Sequence, residues 1–477
     1  MTGETVPAGA PKTAAGAARK PRQSPTELTL TFASAATAGR LSEAHGEPDW
    51  LREDRLAALG RFDELPIETN QLYTSYVDLR NARLADCQPR VTPDPGATAQ
   101  GAESSAVPEG SSGLIEMGED GVTSLSLDEE ARRRGVILEP LRAFARRDPA
   151  AFRGWLEGGA TLPDSDKLAQ LTRSLWSDGI HLSVPAGVRL ERPVVLRWNL
   201  GRPGSAVLSR TLIDVGQDAE VRVVEELQAY RPAIACAEGE SVPQAFFAGT
   251  SEVRLGADAS LSFSSLQECS TDQVASIHRQ AEIGRGASLR WALAQLGSRL
   301  VRSRVDNRLV GDRSSVEQVE IVFGSDDQVF DLTSYTRHLG RDTTGNLLSK
   351  GVLQDSARAF MKGLITIEKT AVGTDSFLGE FGMNLSRNAR AVAIPSLEID
   401  QPDCRRVAHS SAVGPIDESQ LFYLESRGIA PDEARKFIVL GFLEPVVARV
   451  PLESARDRLR ELLESKWVAA HRAKTAA

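Results

Sequence analysis

Between residues 180 and 413 the chain repeats a short pattern that no isolated strand or helix can satisfy. An aliphatic residue is followed four positions later by a small or aliphatic one, and six positions later by another apolar one. Val215–Gly216 leads to Ala219 and Val221, Leu255–Gly256 to Ala259 and Leu261, Ile283–Gly284 to Ala287 and Leu289, and Val310–Gly311 to Ser314 and Val316. Val184, Leu353 and Leu385 start versions without glycine, reaching Val188 and Leu190, Ala357 and Ala359, and Ala389 and Ala391. The starts at Leu255, Ile283 and Val310 are 28 and 27 residues apart. Around them, as in Ala219–Val224, Ser251–Phe263 and Ala287–Leu293, apolar and polar residues alternate with the period of a strand. Each unit reads as a strand, a tight corner where glycine permits positive φ, a small inward residue, and the next strand. One turn cannot bury its own apolar side, so turns must stack into a continuous core. The pattern predicts a parallel β-helix over 179–413. An irregular β-sandwich competes with it, because the gaps between units vary.

Helical periodicity bounds this region on both sides. Pro48–Phe62 puts Leu51, Ala58, Leu59 and Phe62 on one face, with Asp49 as a cap. Leu127–Leu156 and Asp164–Trp176 are also helical in pattern, the latter with Leu168, Leu171 and Leu175 on one side. Residues 27–178 are therefore expected to form a helical region, interrupted by a flexible loop at 88–113 rich in Pro, Gly, Ser and Ala. Residues 1–26 are expected to be a disordered tail. Lys20 and Arg22 ahead of Leu28–Phe32 loosely imitate a signal peptide, but a secretory core needs about 7–15 apolar residues. Residues 414–477 read as three helices: Glu418–Arg427 stopped by Gly428, Pro431–Val447, and Leu452–Trp467. Gly441 lies inside the second, where glycine costs about 1 kcal/mol relative to alanine. Close approach of another backbone or a tolerated defect explains it equally well.

Charge and motifs narrow the function. Lys plus Arg number 56 against 65 Asp plus Glu, a net charge of −9, and aromatics are 5%. That excludes a general nucleic-acid binder, which needs cationic surface and stacking platforms. No apolar run approaches the roughly 20 residues of a membrane helix. Cys87, Cys236, Cys269 and Cys404 form no C-x-x-C, as suits a reducing compartment. No P-loop, H-E-x-x-H or G-x-S-x-G occurs. Asp326 and Asp327, with Asp331 nearby, suggest a β-helix carbohydrate hydrolase or lyase, in which paired carboxylates flank the scissile bond. Gly324–Ser325 just ahead of them suit a solvated turn instead. Cys404 and His409 are soft and borderline ligands for iron–sulfur or zinc. Five residues apart on a strand, they point to opposite faces, so a site shared with a partner chain is geometrically easier.

Several segments resemble the SufB/SufD family, scaffold subunits of the SUF iron–sulfur cluster assembly machinery. They are LLSKGVL (347–353), KGLITIEKTAVGTDSF (362–377), AIPSLEI (393–399), AHSSAVGPIDESQLFYLESRGI (408–429) and EARKFIVLGFLEP (433–445). GEPDWLREDRLAAL (46–59) and SDGIHLSVPAGVRLERPVVL (177–196) extend the match. The resemblance implies a mainly β fold, a right-handed parallel β-helix core flanked by N-terminal and C-terminal α-helical regions. It implies no catalysis by this chain. It also implies pairing with a SufB-type paralogue through the β-helices, and a SufC-type ATPase bound by the C-terminal helices. The complex would be cytoplasmic and carry a transient iron–sulfur cluster, with no cofactor held tightly by this chain alone. The position of the SufB-type cysteine is Ala389 here, and the acidic stretch of that type reads His409–Ser410–Ser411–Ala412, so the residues side with the SufD type. His409 matches a histidine implied to help form the cluster site at the SufB interface; a structural interface histidine is the alternative. Phe422, Arg427, Glu433, Phe437 and Phe442 become candidates for contact with the ATPase, against the alternative that the aromatics pack the three helices together.

Overall fold

The computed structural model describes residues 28, 30–68, 79, 82–90, 108–158, 161–229 and 243–475. The expected tail 1–26, most of the expected loop (91–107) and Cys236 lie outside them. From Asp178 to Gly414 the strands alternate strictly between two ten-stranded sheets. Asp178–Val184, Ser205–Val215, Ala245–Leu255, Gln273–Ile283, Leu300–Leu309, Val329–His338, Arg358–Ile367 and Arg390–Ile399 stack in parallel in the first sheet. The strands between them, from Val194–Leu200 to Arg406–Gly414, stack in parallel in the second. The result is a parallel β-helix of about eight turns with helical regions at both ends.

The sequence repeat is the inner wall of this coil. Val184, Val215, Leu255, Ile283, Leu309, His338, Ile367 and Ile399 stand in one register column. Leu309 occupies the place expected for Val310, which is exposed. Leu353 and Leu385 mark the opposite corner, where second-sheet strands turn back. The corner glycines act differently from expectation. Positive φ falls two positions later, at Asp218 (57°) and Asp258 (58°), and at the matching Arg313 (58°) and Asp342 (55°). Their N–H groups donate to carbonyls of the next turn: Asp218 to Ala257 (2.9 Å), Asp258 to Arg285 (2.7 Å), Arg313 to Arg341 (2.8 Å) and Asp342 to Val372 (2.8 Å). Aspartate tolerates the left-handed region better than most residues. Glycine is needed because the previous turn's backbone fills its side-chain space. A Cβ on Gly216 would lie 2.5 Å from the Ala186 nitrogen, and one on Gly311 2.0 Å from that of Arg285.

The flanks cover the outer faces. Lys167–Leu175 lays Leu168, Leu171 and Leu175 against Leu208, Phe246 and Val274 of the first sheet. Asp166 caps this helix, accepting from the Ala169 N–H (2.8 Å), and its second oxygen accepts from Arg302 (3.1 Å) and Arg304 (2.7 Å) of the coil. Asp49 is the first residue of Asp49–Glu64, not its cap; Pro48 takes the cap position without a side-chain bond. The 27–178 region is less helical than expected. Gly113–Gly118 and Gly121–Leu127 form a hairpin that extends the second sheet beside Val194–Leu200. Gln88–Pro89, at the start of the expected loop, pairs with Ser205–Ala206. At the other end, Pro431–Val447 and Glu453–Thr475 press Val439, Leu443, Leu459 and Trp467 onto Val224, Ala292 and Ile321 of the second sheet.

His338 is the polar member of the inner column. It is fully buried, with Nδ1 hydrogen-bonded to Thr343 Oγ1 (2.8 Å) and Nε2 to Ser376 Oγ (3.1 Å). Burial pushes its pKa down to about 4. Above pH ~6.5 the ring is neutral both folded and unfolded. Below that the unfolded chain takes up a proton that the native chain refuses, so stability falls as pH drops toward 4. The loss reaches roughly 3 kcal/mol at pH 4. His338→Leu, which matches Leu309 and Ile367 on either side, is expected to flatten this acid limb. Urea midpoints at pH 7, 5.5 and 4.5 read the effect; an undiminished acid limb in the variant would place the sensitivity elsewhere.

Candidate functional site at the open end of the coil

Among the described residues the coil ends without a lid. Arg390–Ile399 pairs only with Arg358–Ile367, and Arg406–Gly414 only with Asp375–Asn384; no further strand of the described residues joins their outer edges. Ile399 is 48% and Val413 41% exposed, although both continue columns that face the interior. His409 stands in register with Leu378, which is buried among Ile365 and Ile367 inside the coil. Side chains in register on parallel strands share a face, so His409 faces the mouth of the coil and is exposed there. Cys404 precedes the last strand, so the alternation argument does not reach it. It packs against the same interior cluster, and its thiol donates to the Gln401 carbonyl (3.1 Å). Burial and then Asp403 push its pKa up, the opposite of a reactive thiolate. Among the described residues no three His, Cys, Asp or Glu side chains gather in a way that would hold a metal.

Beside this mouth stand the C-terminal helices. Glu418–Ser426 is capped by Asp417, which accepts from the Ser419 N–H (2.8 Å). Phe422 is 73% and Phe437 57% exposed. A cleft of about 660 Å³ lies between the last strand and Pro431–Val447, lined by Phe381, Met383, Val413, Phe437 and Phe442 among others. Phe442 differs from its expected role. It is half-buried against the coil, where Lys350 Nζ lies 4.5 Å from its ring centre and donates to its carbonyl (3.0 Å). The cause is helical spacing: Phe442 shares the flank of buried Val439 and Val446, whereas Phe437 lies on the other side. Arg427 is exposed and covers the Tyr423 ring (5.2 Å), and Glu433 is exposed in the first turn of its helix. Nothing lies within 4 Å of a Cβ built on Gly441, so no backbone among the described residues explains that glycine.

The carboxylates singled out for glycan cleavage each have a structural setting of their own. Asp326 is a corner residue with φ of 53°, and its N–H donates to Asp355 (3.1 Å). Asp327 is exposed and pairs with Arg299 (2.9 Å). Asp331 is buried and pairs with Lys362 (2.8 Å), which also holds Glu68 (3.0 Å) of the N-terminal region. The solvated turn accounts for the first two, and the ion pair for the third.

One feature escaped the sequence altogether. Glu225, Ser265, Leu293, Glu320, Ser349, Glu380 and Ser411 form a single inward column of the second sheet. Ser265 donates to Glu225 (2.7 Å), Arg279 to Ser265 (2.8 Å) and to Glu225, and Ser303 (2.6 Å) and Gln295 (3.0 Å) donate to Glu320. Burial raises the pKa of Glu320, against the pull of those donors. The gaps between successive members run from 27 to 40 residues, so no linear period reveals them.

Comparison with known proteins follows the same turns. Residues 199–442 match the family model described as SUF system FeS cluster assembly, SufBD core domain. The chain is 28% identical over 436 residues to the iron-sulfur cluster assembly protein SufD of Bacillus subtilis (strain 168), covering 89% of this chain and 96% of that protein. It is 24% identical to an iron-sulfur cluster assembly SufBD family protein of Staphylococcus epidermidis, and 23% identical to one of Staphylococcus haemolyticus. Each of those alignments covers 88% of this chain and 90% of the relative. No helix among the described residues is long and apolar enough to cross a membrane. With more than half of the chain matched, over the turns that build the coil and its open end, the protein belongs to the SufBD family of SUF-system iron–sulfur cluster assembly proteins.

Proposed function

We propose that the chain is a SufD-type scaffold subunit, without catalysis of its own, acting only inside a SUF complex. Its open end pairs with a SufB-type paralogue, and its C-terminal helices carry a SufC-type ATPase. The uncapped last turn supports this reading most. Two unpaired strand edges beside exposed Ile399 and Val413 are a liability in a free chain. A second β-helix set against them continues both sheets and covers both side chains. His409 then lies at the junction, offering one imidazole to a transient iron–sulfur cluster whose other ligands come from the partner. Phe422 and Phe437 anchor the ATPase, with Arg427 and Glu433 at the rim. ATP is hydrolysed by that partner. Pro431–Val447 packs directly on the second sheet, so a shift of this helix reaches the coil and opens its interface to iron and sulfur. The complex works in the cytoplasm.

Co-expression with SufB-type and SufC-type chains is expected to yield a stable ternary complex. Phe437→Asp is expected to reduce ATPase co-purification at least tenfold while leaving the strand signal in circular dichroism unchanged. An ATPase retained at the unsubstituted level would refute the anchor.

A further inference from the structure

The outer face of the first sheet carries a cleft of about 680 Å³ that plays no part in the scaffold role. That is the size of a small-molecule site. Its floor is the outward face of Gln273–Ile283, Leu300–Leu309, Val329–His338 and Arg358–Ile367, and its wall is formed by residues 156–158 and 161–164 with Arg61. Among the described residues, five guanidinium groups and three carboxylates line it. Each carboxylate is already spent on a cation: Glu157 on Arg153 (2.8 Å), Asp164 on Arg61 (2.8 Å) and Asp306 on Arg304 (2.8 Å). Four of the guanidiniums are held by carboxylates outside the lining. Asp54 holds Arg173 (3.1 Å), Asp166 holds Arg304 (2.7 Å), Glu282 holds Arg308 (3.2 Å) and Glu368 holds Arg337 (2.6 Å). Such pairing fixes a planar guanidinium without filling the cleft in front of it. Arg308 and Arg337 stand directly opposite each other on adjacent strands, both facing out. Like charges in that position repel. Glu282 neighbours Arg308 on the far strand and Glu368 lies beyond Arg337, so each counter-charge pulls from the outer side. A second sign of a missing acceptor lies beside Thr161, which lines the cleft. Arg210 is fully buried and its Nη2 reaches Thr161 Oγ1 (3.3 Å), yet its Nη1 has no hydrogen-bond partner among the described residues. A buried N–H without an acceptor is costly. Between the charged groups the floor is softer: the Tyr335 ring lies over Arg304 (4.8 Å), and half-buried Leu364 is next to it in register.

We propose that this cleft binds a small polyanion bearing phosphate or carboxylate groups, with one anionic group bridging Arg308 and Arg337 and the rest of the molecule over Tyr335 and Leu364. Guanidinium is the side chain that matches two N–H groups to two oxygens of a phosphate or carboxylate. Arg61, partly exposed on the facing wall, reaches a second anionic group. The excess of positive over negative groups in a walled cleft favours entry of an anion. The cleft lies on the first sheet, whereas the C-terminal helices pack on the second, so the site does not depend on how those helices are used.

Isothermal titration of the full chain with pyrophosphate and, separately, with citrate tests the site. At least one probe is expected to bind, and to bind more weakly as sodium chloride is raised, since salt screens partly exposed charges. Arg308→Gln combined with Arg337→Gln is expected to weaken that probe at least tenfold, with the strand signal in circular dichroism unchanged. Should that chain fail to fold, Thr366→Glu serves instead. Thr366 lines the cleft in register with Arg337, and a carboxylate there occupies the guanidinium, so the same tenfold loss is expected. A preference for pyrophosphate assigns a phosphate ligand, a preference for citrate a carboxylate one, and equal affinity a polyanion site without preference; each supports the proposal. Absence of binding by both probes overturns it. So does binding at the unsubstituted level by the double variant or by Thr366→Glu.

Discussion

A Gly311→Val chain is expected not to close its coil at the turn that carries the substitution. The contacts are all backbone: a Cβ at this position would lie 2.0 Å from the Arg285 nitrogen, 2.3 Å from the Gly284 carbonyl carbon and 2.4 Å from Arg285 Cα. No rotamer change relieves such a clash, because no side chain is involved. The turn cannot slide away either, since its strands sit at the fixed ~4.8 Å spacing of sheet neighbours on both sides. In a stacked architecture each turn contacts only its neighbours, so a displaced turn breaks the interfaces above and below it. The expected loss exceeds about 4 kcal/mol, the range reserved for overpacking that the structure cannot absorb. Soluble yield and the urea midpoint read it directly. The same substitution at Gly441, with nothing within 4 Å, is the control and is expected to fold. A Gly311→Val protein with the unsubstituted midpoint would mean that the turns do not touch at this corner.

The second large effect is expected from Glu252→Ala. Arg210 and Glu252 are both fully buried, on adjacent strands beneath the N-terminal layer. The guanidinium donates twice to the carboxylate, from Nε at 2.8 Å and from Nη2 at 2.7 Å, and Thr161 bridges to both. Removing the acid leaves a buried cation without its counter-charge, which costs about 3–5 kcal/mol. Replacing both partners at once, as Arg210→Met with Glu252→Leu, is expected to recover most of that loss, because an apolar pair carries no desolvation penalty. Urea denaturation of the two singles and the double gives the coupling energy. A Glu252→Ala cost below about 1 kcal/mol would show that water reaches the guanidinium.

The +4 and +6 pattern starting at Val215, Leu255 and Ile283 located the inner wall, because inward alternation is a local property of each strand. Pro431–Val447 was legible to the residue, since helix ends carry their own chemistry. The purpose of the corner glycines was not legible. A glycine required by positive φ and a glycine required by a neighbouring backbone look alike in sequence, and only the stacked turns separate Asp218 from Gly216. The same holds at the candidate site. Phe437 and Phe442 were indistinguishable as aromatic residues on a short helix; packing on the coil buries one flank and leaves the other to solvent. Asp326 and Asp327 looked like a pair in sequence, whereas in the structure Asp326 is a left-handed corner residue and Asp327 an exposed partner of Arg299.

Alternation, caps and breakers act over a few residues, and so the order of residues alone placed a region of short strands between helical ends. Register between turns acts over some thirty residues and depends on corners of unequal length. The tertiary structure therefore decided what no linear spacing contains: the column that joins Glu225 to Glu380, the rung that sets His409 above Leu378, and a last turn with no further strand beyond it among the described residues.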